Sequence, residues 1–134
     1  MTETRATDEQ VGGDYYRTLA IQPIVFSCQN QWDPAAHTVL KYLTRHKDKG
    51  REKDLTKALH TVRLRQEMIG FVSIRPAHAG KTIPVEDYIR LNGITGVDAL
   101  AISQLAAWVN RESATTDQDL LDIITEARSA HYGN

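Results

Sequence analysis

Apolar side chains spaced three and four residues apart recur along most of this chain, and helix start and stop signals bound each stretch. In the first long stretch Asp33 can cap a helix, and Pro34 fits its first turn. One face of that helix is apolar, at Ala36, Val39, Leu40 and Leu43. We expect the helix to end near Lys49-Gly50, where the glycine can supply a left-handed cap.

A second long helix is predicted from about Arg51 to Met68. Its buried stripe comprises Leu55, Ala58, Leu59, Val62, Gln66 and Ile69. Further along the chain Pro84 marks the start of a shorter helix, and Asn92-Gly93 marks its end.

Two more apolar helices are predicted near the C-terminal end. The first runs from Val97 to Asn110, and its packing residues are predicted to be Leu100, Ile102, Leu105, Ala106, Trp108 and Val109. Thr116, with Asp119 three residues later, forms a loose capping box for the second. The apolar face of that helix comprises Leu120, Leu121, Ile123, Ile124 and Ala127.

With a short helix beginning at Pro23, these segments predict an all-α fold, a compact bundle of five or six helices. The 134 residues suit one domain, expected over residues 14–134, and a helical hairpin is expected at about 33–69. Residues 71–74 alternate weakly and can form a short extended segment. Residues 1–13 show no periodicity and are expected to be a flexible tail.

The formal net charge of −1 hides a strong asymmetry along the chain. Residues 41–65 carry nine basic and three acidic side chains, a balance of +6, whereas residues 1–40 and 66–134 have balances of −3 and −4. The overall charge argues against a generally basic nucleic-acid binder. The local excess indicates an anionic partner for the middle of the chain.

Several classes of protein are disfavoured. No apolar run reaches the roughly 18–20 residues that span a bilayer, and the N-terminal residues lack a hydrophobic signal segment, so we expect a cytoplasmic protein. Cys28 is the single cysteine, which excludes an internal disulfide or a zinc site built from cysteines, and we expect it in the core. The histidines lack the spacing of common metal motifs, so no protein-bound metal is predicted. They are His37, His46, His60, His78 and His131.

A cationic stripe is the strongest candidate for chemistry. His37, Lys41 and Arg45 are four residues apart and therefore stack along one side of a helix. The turn and the next helix add Lys47, Lys49, Lys53 and Lys57. In a hairpin these groups can converge on one phosphate site, although a charged run can also be an ordinary solvated face.

Two further features lie beside this stripe. Tyr15 and Tyr16 can stack on a nucleobase, or they can pack the start of the domain against the core. Asp54 can hold a lysine, act as a base or help position phosphate-bound Mg²⁺; alternatively it is an acid favoured in the first turn of a helix. The Gly-Lys-Thr at residues 80–82 resembles the end of a P-loop, but Arg75 stands where that motif has glycine and no βαβ pattern surrounds it.

Five short motifs occur in order at compact spacing over about residues 14–65. They are Asp14-Tyr15-Tyr16, Ile21-Gln22-Pro23-Ile24, the segment 39–45, Lys47 with Lys49-Gly50, and the segment 54–58. In this order they resemble the small phage-encoded family described as SaV-like or phage nucleotide kinase-like. The resemblance makes 14–70 the family-like region and 84–134 a C-terminal helical extension without an identified counterpart. The chain departs from the family pattern at Ala36-His37, Gln22 and Val25.

The resemblance implies a nucleotide kinase-like, phage-encoded protein that acts on deoxynucleoside monophosphates as a homo-oligomer in the host cytoplasm. It assigns catalysis to Lys41, Arg45 and Asp54, with Mg²⁺ held through the nucleotide phosphates. Substrate binding falls to Tyr15, Tyr16, Lys47 and Lys57, and the stripe adds His37.

Other functions stay open from the sequence. One is a non-catalytic binder of a nucleotide or nucleotide signal that acts against host defence, and another is a helical adaptor or DNA-contacting protein. An oligomer is expected on the further ground that Leu100, Leu105 and Trp108 offer more apolar surface than a small domain buries.

Overall fold

The computed structural model describes residue 5 and residues 15–69, 82–110 and 115–133, and within these ranges it has six α-helices and no β-strand. A 3₁₀ turn (Tyr16–Thr18) precedes α1 (Pro23–Gln29), α2 (Pro34–Arg45), α3 (Glu52–Glu67), α4 (Val85–Leu91), α5 (Gly96–Val109) and α6 (Asp117–Tyr132). The all-α prediction is therefore confirmed. None of the helices in these ranges has the length and apolarity needed to cross a membrane.

Some predictions lie outside the described residues. These concern the tail at 1–13 (apart from residue 5), the extended segment at 71–74 and most of the P-loop-like stretch from 75 to 82.

The core lies between four helices. α2 and α3 pack together as the predicted hairpin, α6 packs on both α3 and α5, and α2 also contacts α5. Their apolar faces supply side chains without solvent exposure, among them Leu40, Leu55, Ile102, Leu105 and Ile124. Helix α1 lies on α2 and α4 lies on α5, so the two short helices extend this four-helix centre.

Side chains cap α2 and α6 at the predicted positions. The Asp33 carboxylate accepts a hydrogen bond from the backbone N–H of Ala36 at 2.9 Å, and Pro34 occupies the first turn of α2. Thr116 and Asp119 form both hydrogen bonds of a capping box at the start of α6. These contacts satisfy N–H groups that have no partner inside the helix.

The end of α2 differs from the prediction. Regular helix stops at Arg45 rather than near Lys49-Gly50, and the left-handed residue is Arg51, with φ of +53°. Gly50 is needed for another reason, because a Cβ there would collide with the Asp54 carboxylate. The backbone N–H of Gly50 donates to Asp54 Oδ2 at 3.1 Å, so Asp54 fixes the turn between the two helices.

Two residues predicted to be in the core are exposed, and one residue that was not predicted there is buried. Leu100 is 61% exposed and Ile69 is 44% exposed, so neither packs in the core. Arg65 is buried instead, because its guanidinium pairs with Asp33 at 3.0 Å and lies 4.2 Å from the ring centre of Trp108. Sequence periodicity favours apolar residues for burial and misses an arginine whose charge is paired.

Candidate anion-binding site

Four of the predicted site residues line one small pocket between the 3₁₀ turn, the start of α1 and the length of α2. The pocket has a volume of about 250 Å³. Its lining consists of Tyr16, Gln22, Pro23, Ile24, His37, Lys41 and Arg45. The helical spacing of His37, Lys41 and Arg45 brings these three groups to the same wall, as predicted.

A second, larger cavity adjoins the first. Its volume is about 560 Å³, and it shares Ile24 and His37 with the smaller pocket. The rest of its wall consists of Ser27, Cys28, Gln31, Trp32 and Pro34. At the boundary His37 Nδ1 lies 2.9 Å from Ser27 Oγ, which fixes the imidazole between the two spaces. The prediction that Cys28 is a core residue is wrong, because its side chain is exposed on this wall.

Arg45 is held by a buried carboxylate. Its Nε donates to Asp54 Oδ2 at 3.1 Å, and its Nη2 donates to Asp54 Oδ1 at 3.3 Å. The Asp54 side chain is 1% exposed and that of Arg45 is 20% exposed. The remaining guanidinium nitrogen, Nη1, donates to the Tyr16 hydroxyl at 3.2 Å. The two-point contact with Asp54 fixes the plane of the guanidinium and directs Nη1 toward the pocket wall that includes Tyr16.

Three cations surround the ring of Tyr42. Lys41 Nζ lies 5.0 Å from the ring centre, Arg45 Cζ lies 5.2 Å from it, and Lys57 Nζ lies 5.9 Å from it. The hairpin thus brings Lys57 of α3 to the two α2 cations, whereas Lys47 and Lys49 of the turn contact Asp98 and Tyr16. The electron-rich face of Tyr42 attracts all three charges, so it holds mutually repelling groups close to one another.

Burial shapes the pKa values of this cluster, although at Arg45 the hydrogen bonds with Asp54 and Tyr16 outweigh burial and raise the pKa. Burial and the neighbouring Arg45 lower the pKa of Lys41, and burial and Lys41 lower the pKa of His37. Asp54 opposes the effect on Lys41, but its oxygens already accept from Arg45. An anion placed beside Lys41 would relieve the repulsion between these cations.

Tyr15 and Lys47 are placed differently from the other predicted site residues. The Tyr15 hydroxyl donates to the Thr44 carbonyl at 2.8 Å, and its ring meets that of Tyr16 edge to face at 5.2 Å. Burial raises the pKa of the Tyr15 hydroxyl, with a further increase from Asp48. Lys47 is exposed, and its Nζ lies 3.9 Å from Asp98.

Sequence reasoning left Tyr42 out of the candidate site. A signal for it exists, because Tyr42 is adjacent to Lys41 and three residues before Arg45 on the same helix. A residue three positions before Arg45 lies on the same helix face and within reach of its guanidinium, whereas adjacency alone does not predict the contact with Lys41. The contact with Lys57 could not be read from spacing, since it depends on how α3 packs against α2.

No family model, curated protein or solved structure matches this chain. The likeness to the phage family therefore stays a prediction based on its five motifs, and the functional argument rests on the site's geometry.

Proposed function

We propose that this protein binds nucleotides on the α2 surface and transfers a phosphoryl group from a nucleoside triphosphate to a deoxynucleoside monophosphate. It would do so in the cytoplasm of a phage-infected host, as the sequence resemblance implies. The reaction yields two diphosphates and requires that two concentrated negative charges approach each other. Fixed cations are the chemical means by which proteins make that approach possible.

The observation that carries this proposal is the group of cations around Tyr42. Lys41, Arg45 and Lys57 lie within 5.9 Å of one ring centre, and Lys41 and Arg45 also line the smaller pocket. Burial and then the neighbouring Arg45 lower the pKa of Lys41, and a phosphate beside this lysine would offset both effects.

The two adjoining cavities suit different parts of one nucleotide. The smaller one, at about 250 Å³, is below the usual volume of ligand pockets, and Lys41 and Arg45 in its lining suit a phosphate. The larger one, at about 560 Å³, includes the ring of Trp32 together with Ile24 and Pro34. An aromatic and apolar wall suits a nucleobase, so the base would lie there and Tyr16 would contact the phosphate or sugar.

Asp54 has a positioning role in this proposal. Its oxygens accept three hydrogen bonds, two from Arg45 and one from Gly50. It therefore orients Arg45, and Mg²⁺ would reach the site on the phosphates of the nucleotide. Catalysis would rest on charge neutralisation and alignment by Lys41, Arg45 and Lys57.

The same commitment of Asp54 favours a second candidate function, a binder without turnover. A kinase that uses a carboxylate to align the acceptor needs an oxygen that faces the substrate, and both Asp54 oxygens face Arg45. A protein that sequesters a nucleotide or nucleotide signal needs only the cationic pocket.

Thermal unfolding across a panel of nucleotides, followed by a turnover assay, separates these functions. Deoxynucleoside mono- and triphosphates with Mg²⁺ should raise Tm, because a ligand that binds only the folded chain stabilises it. Each stabilising monophosphate is then incubated with ATP and Mg²⁺, and chromatography measures diphosphate formation. Diphosphates support the kinase, whereas binding with unchanged nucleotides supports the binder. A protein that responds to no nucleotide but binds duplex DNA with steep salt dependence would refute both.

A further inference from the structure

Three potential metal ligands from distant parts of the chain meet at the ends of three helices. His46 follows α2 as its C-cap, Asp98 is in the first turn of α5, and His131 is in the last turn of α6. His46 Nε2 lies 3.0 Å from Asp98 Oδ1, and His131 Nε2 lies 3.0 Å from Asp98 Oδ2. One ligand atom from each residue can be chosen so that all three lie within 4.8 Å of one another.

The cluster is buried on one side and accessible on the other. His46 has no solvent exposure and Asp98 is 2% exposed, whereas the His131 side chain is 26% exposed. The second ring nitrogen of His46, Nδ1, lies 2.7 Å from the Tyr132 hydroxyl. Such a partner on the remote nitrogen fixes the orientation of an imidazole, as is common for histidines that bind metals.

We propose that His46, Asp98 and His131 bind one divalent transition-metal ion, with zinc as the best-suited ion. Two imidazole nitrogens and a carboxylate oxygen are typical zinc ligands, and Mg²⁺ and Ca²⁺ prefer sites made entirely of oxygen. The exposed edge at His131 lets water or an exchangeable ligand complete a tetrahedral shell. On metal binding each Nε2 gives up its proton to make the lone pair available, and a neutral ring then carries its proton on Nδ1, which in His46 faces the Tyr132 hydroxyl.

A modest closure brings the ligands to metal distance. Zinc–nitrogen bonds of about 2.0–2.1 Å place tetrahedral ligand atoms about 3.4 Å apart, so the widest gap of 4.8 Å must shrink by roughly 1.4 Å. His131, in the last turn of α6, can supply this movement because helix ends open more easily than helix centres. Lys47 Nζ lies 3.9 Å from Asp98, but its side chain is 56% exposed and can turn into solvent.

This site is separate from the proposed anion site. Arg45 precedes His46 in the chain, but its guanidinium pairs with Asp54, whereas His46 pairs with Asp98. The metal would join the ends of α2, α5 and α6 and stabilise the folded chain without contacting the nucleotide pocket. Loss of metal binding therefore leaves the proposed nucleotide function unchanged, so the metal-site proposal and the proposed function can be refuted separately.

Titration of the full chain with zinc tests the proposal. Calorimetry should give one ion per chain, zinc should raise Tm, and Co²⁺ should produce the intense visible absorption of a tetrahedral site. His131→Ala removes a ligand at the accessible edge and should weaken zinc binding by more than about 100-fold. Tyr132→Phe removes only the supporting hydroxyl and should weaken it by about 10- to 100-fold.

Two control variants exclude other zinc ligands. His60→Ala removes an exposed histidine on α3, and Cys28→Ser removes the exposed thiol, so both should retain the affinity of the parent chain. The proposal is overturned if zinc fails to bind or to raise Tm. It is also overturned if His131→Ala binds zinc as tightly as His60→Ala, or if Cys28→Ser abolishes binding.

Discussion

Replacing Asp54 by asparagine removes the negative charge under Arg45 while it keeps the size of the side chain. In the native protein the Asp54 carboxylate is 1% exposed and accepts three hydrogen bonds, from Arg45 Nε, Arg45 Nη2 and the Gly50 N–H. Asparagine offers one oxygen and an NH₂ group. If the oxygen takes the place of Oδ2, it still accepts from Gly50 and from Arg45 Nε, but the NH₂ group then faces Arg45 Nη2, and donor meets donor.

The size of the effect follows from this geometry. Removing one partner of a fully buried ion pair costs about 3–5 kcal/mol. The Arg45 side chain is 20% exposed and can reach water, and the asparagine oxygen preserves one acceptor. We therefore expect Asp54→Asn to lower the free energy of unfolding by about 2–3 kcal/mol.

Urea unfolding measures this difference. A loss of that size shifts the urea midpoint downward by about 1–2 M for a domain of this length. The matched control is Asp48→Asn, the same change at an exposed acid in the adjoining turn, and it should stay within about 0.5 kcal/mol of the parent chain. If the two variants have equal midpoints, the Arg45–Asp54 pair does not hold the turn and the account of the site's positioning is wrong.

Four other substitutions test the packing, the capping and the charge of Lys41. Leu40→Ala empties a fully buried position and should cost about 2–5 kcal/mol, whereas Leu100→Ala, at a side chain that is 61% exposed, should cost less than about 0.5 kcal/mol in the same urea assay. Thr116→Ala removes the side-chain acceptor at the start of α6 and should cost about 1 kcal/mol. Because burial and Arg45 lower the pKa of Lys41, its charged form destabilises the folded state, and stability should rise as the pH increases toward 10.5. Lys41→Met should therefore have a higher Tm than the parent at pH 7 and lack the rise in stability at alkaline pH. A lower Tm would show that the charge of Lys41 does not destabilise the folded state.

The helices were predictable because their signals are local. Asp33 and Thr116 cap helices through bonds to residues three positions ahead, and apolar stripes read directly from a period of 3.6 residues. The end of α2 could not be predicted in this way. Glycine is needed at position 50 because a Cβ would collide with Asp54, and not because of its own backbone angle. Leu100 was mistaken for a core residue because composition does not say which face of an apolar helix has a neighbour.

Part of the candidate site was predictable for the same reason. His37, Lys41 and Arg45 share one helix, so their common wall follows from spacing alone. The place of Lys47 depends on tertiary structure, since its partner Asp98 lies on α5, a helix distant in the sequence. Sequence spacing likewise says nothing of His46, Asp98 and His131, whose approach is produced by the packing of three helices.

The burial pattern also bears on the expected oligomer. Leu105 and Trp108 pack inside this chain, at 0% and 6% exposure, so the apolar surface from which an oligomer was inferred is mostly internal. Leu100 is the exposed member of that group. Self-association therefore stays a prediction drawn from the family resemblance.

The affinity of one stabilising nucleotide for a pair of charge-matched variants tests the central claim most directly. Lys41→Met removes a cation from the pocket wall, and Lys53→Met removes one from an exposed position on α3. Calorimetry should show that Lys41→Met weakens binding by about 10- to 100-fold, the worth of a hydrogen bond to a charged phosphate, while Lys53→Met changes it by less than about threefold. Equal affinities for the two variants would mean that the α2 stripe is a solvated surface and that the nucleotide, if bound, lies elsewhere.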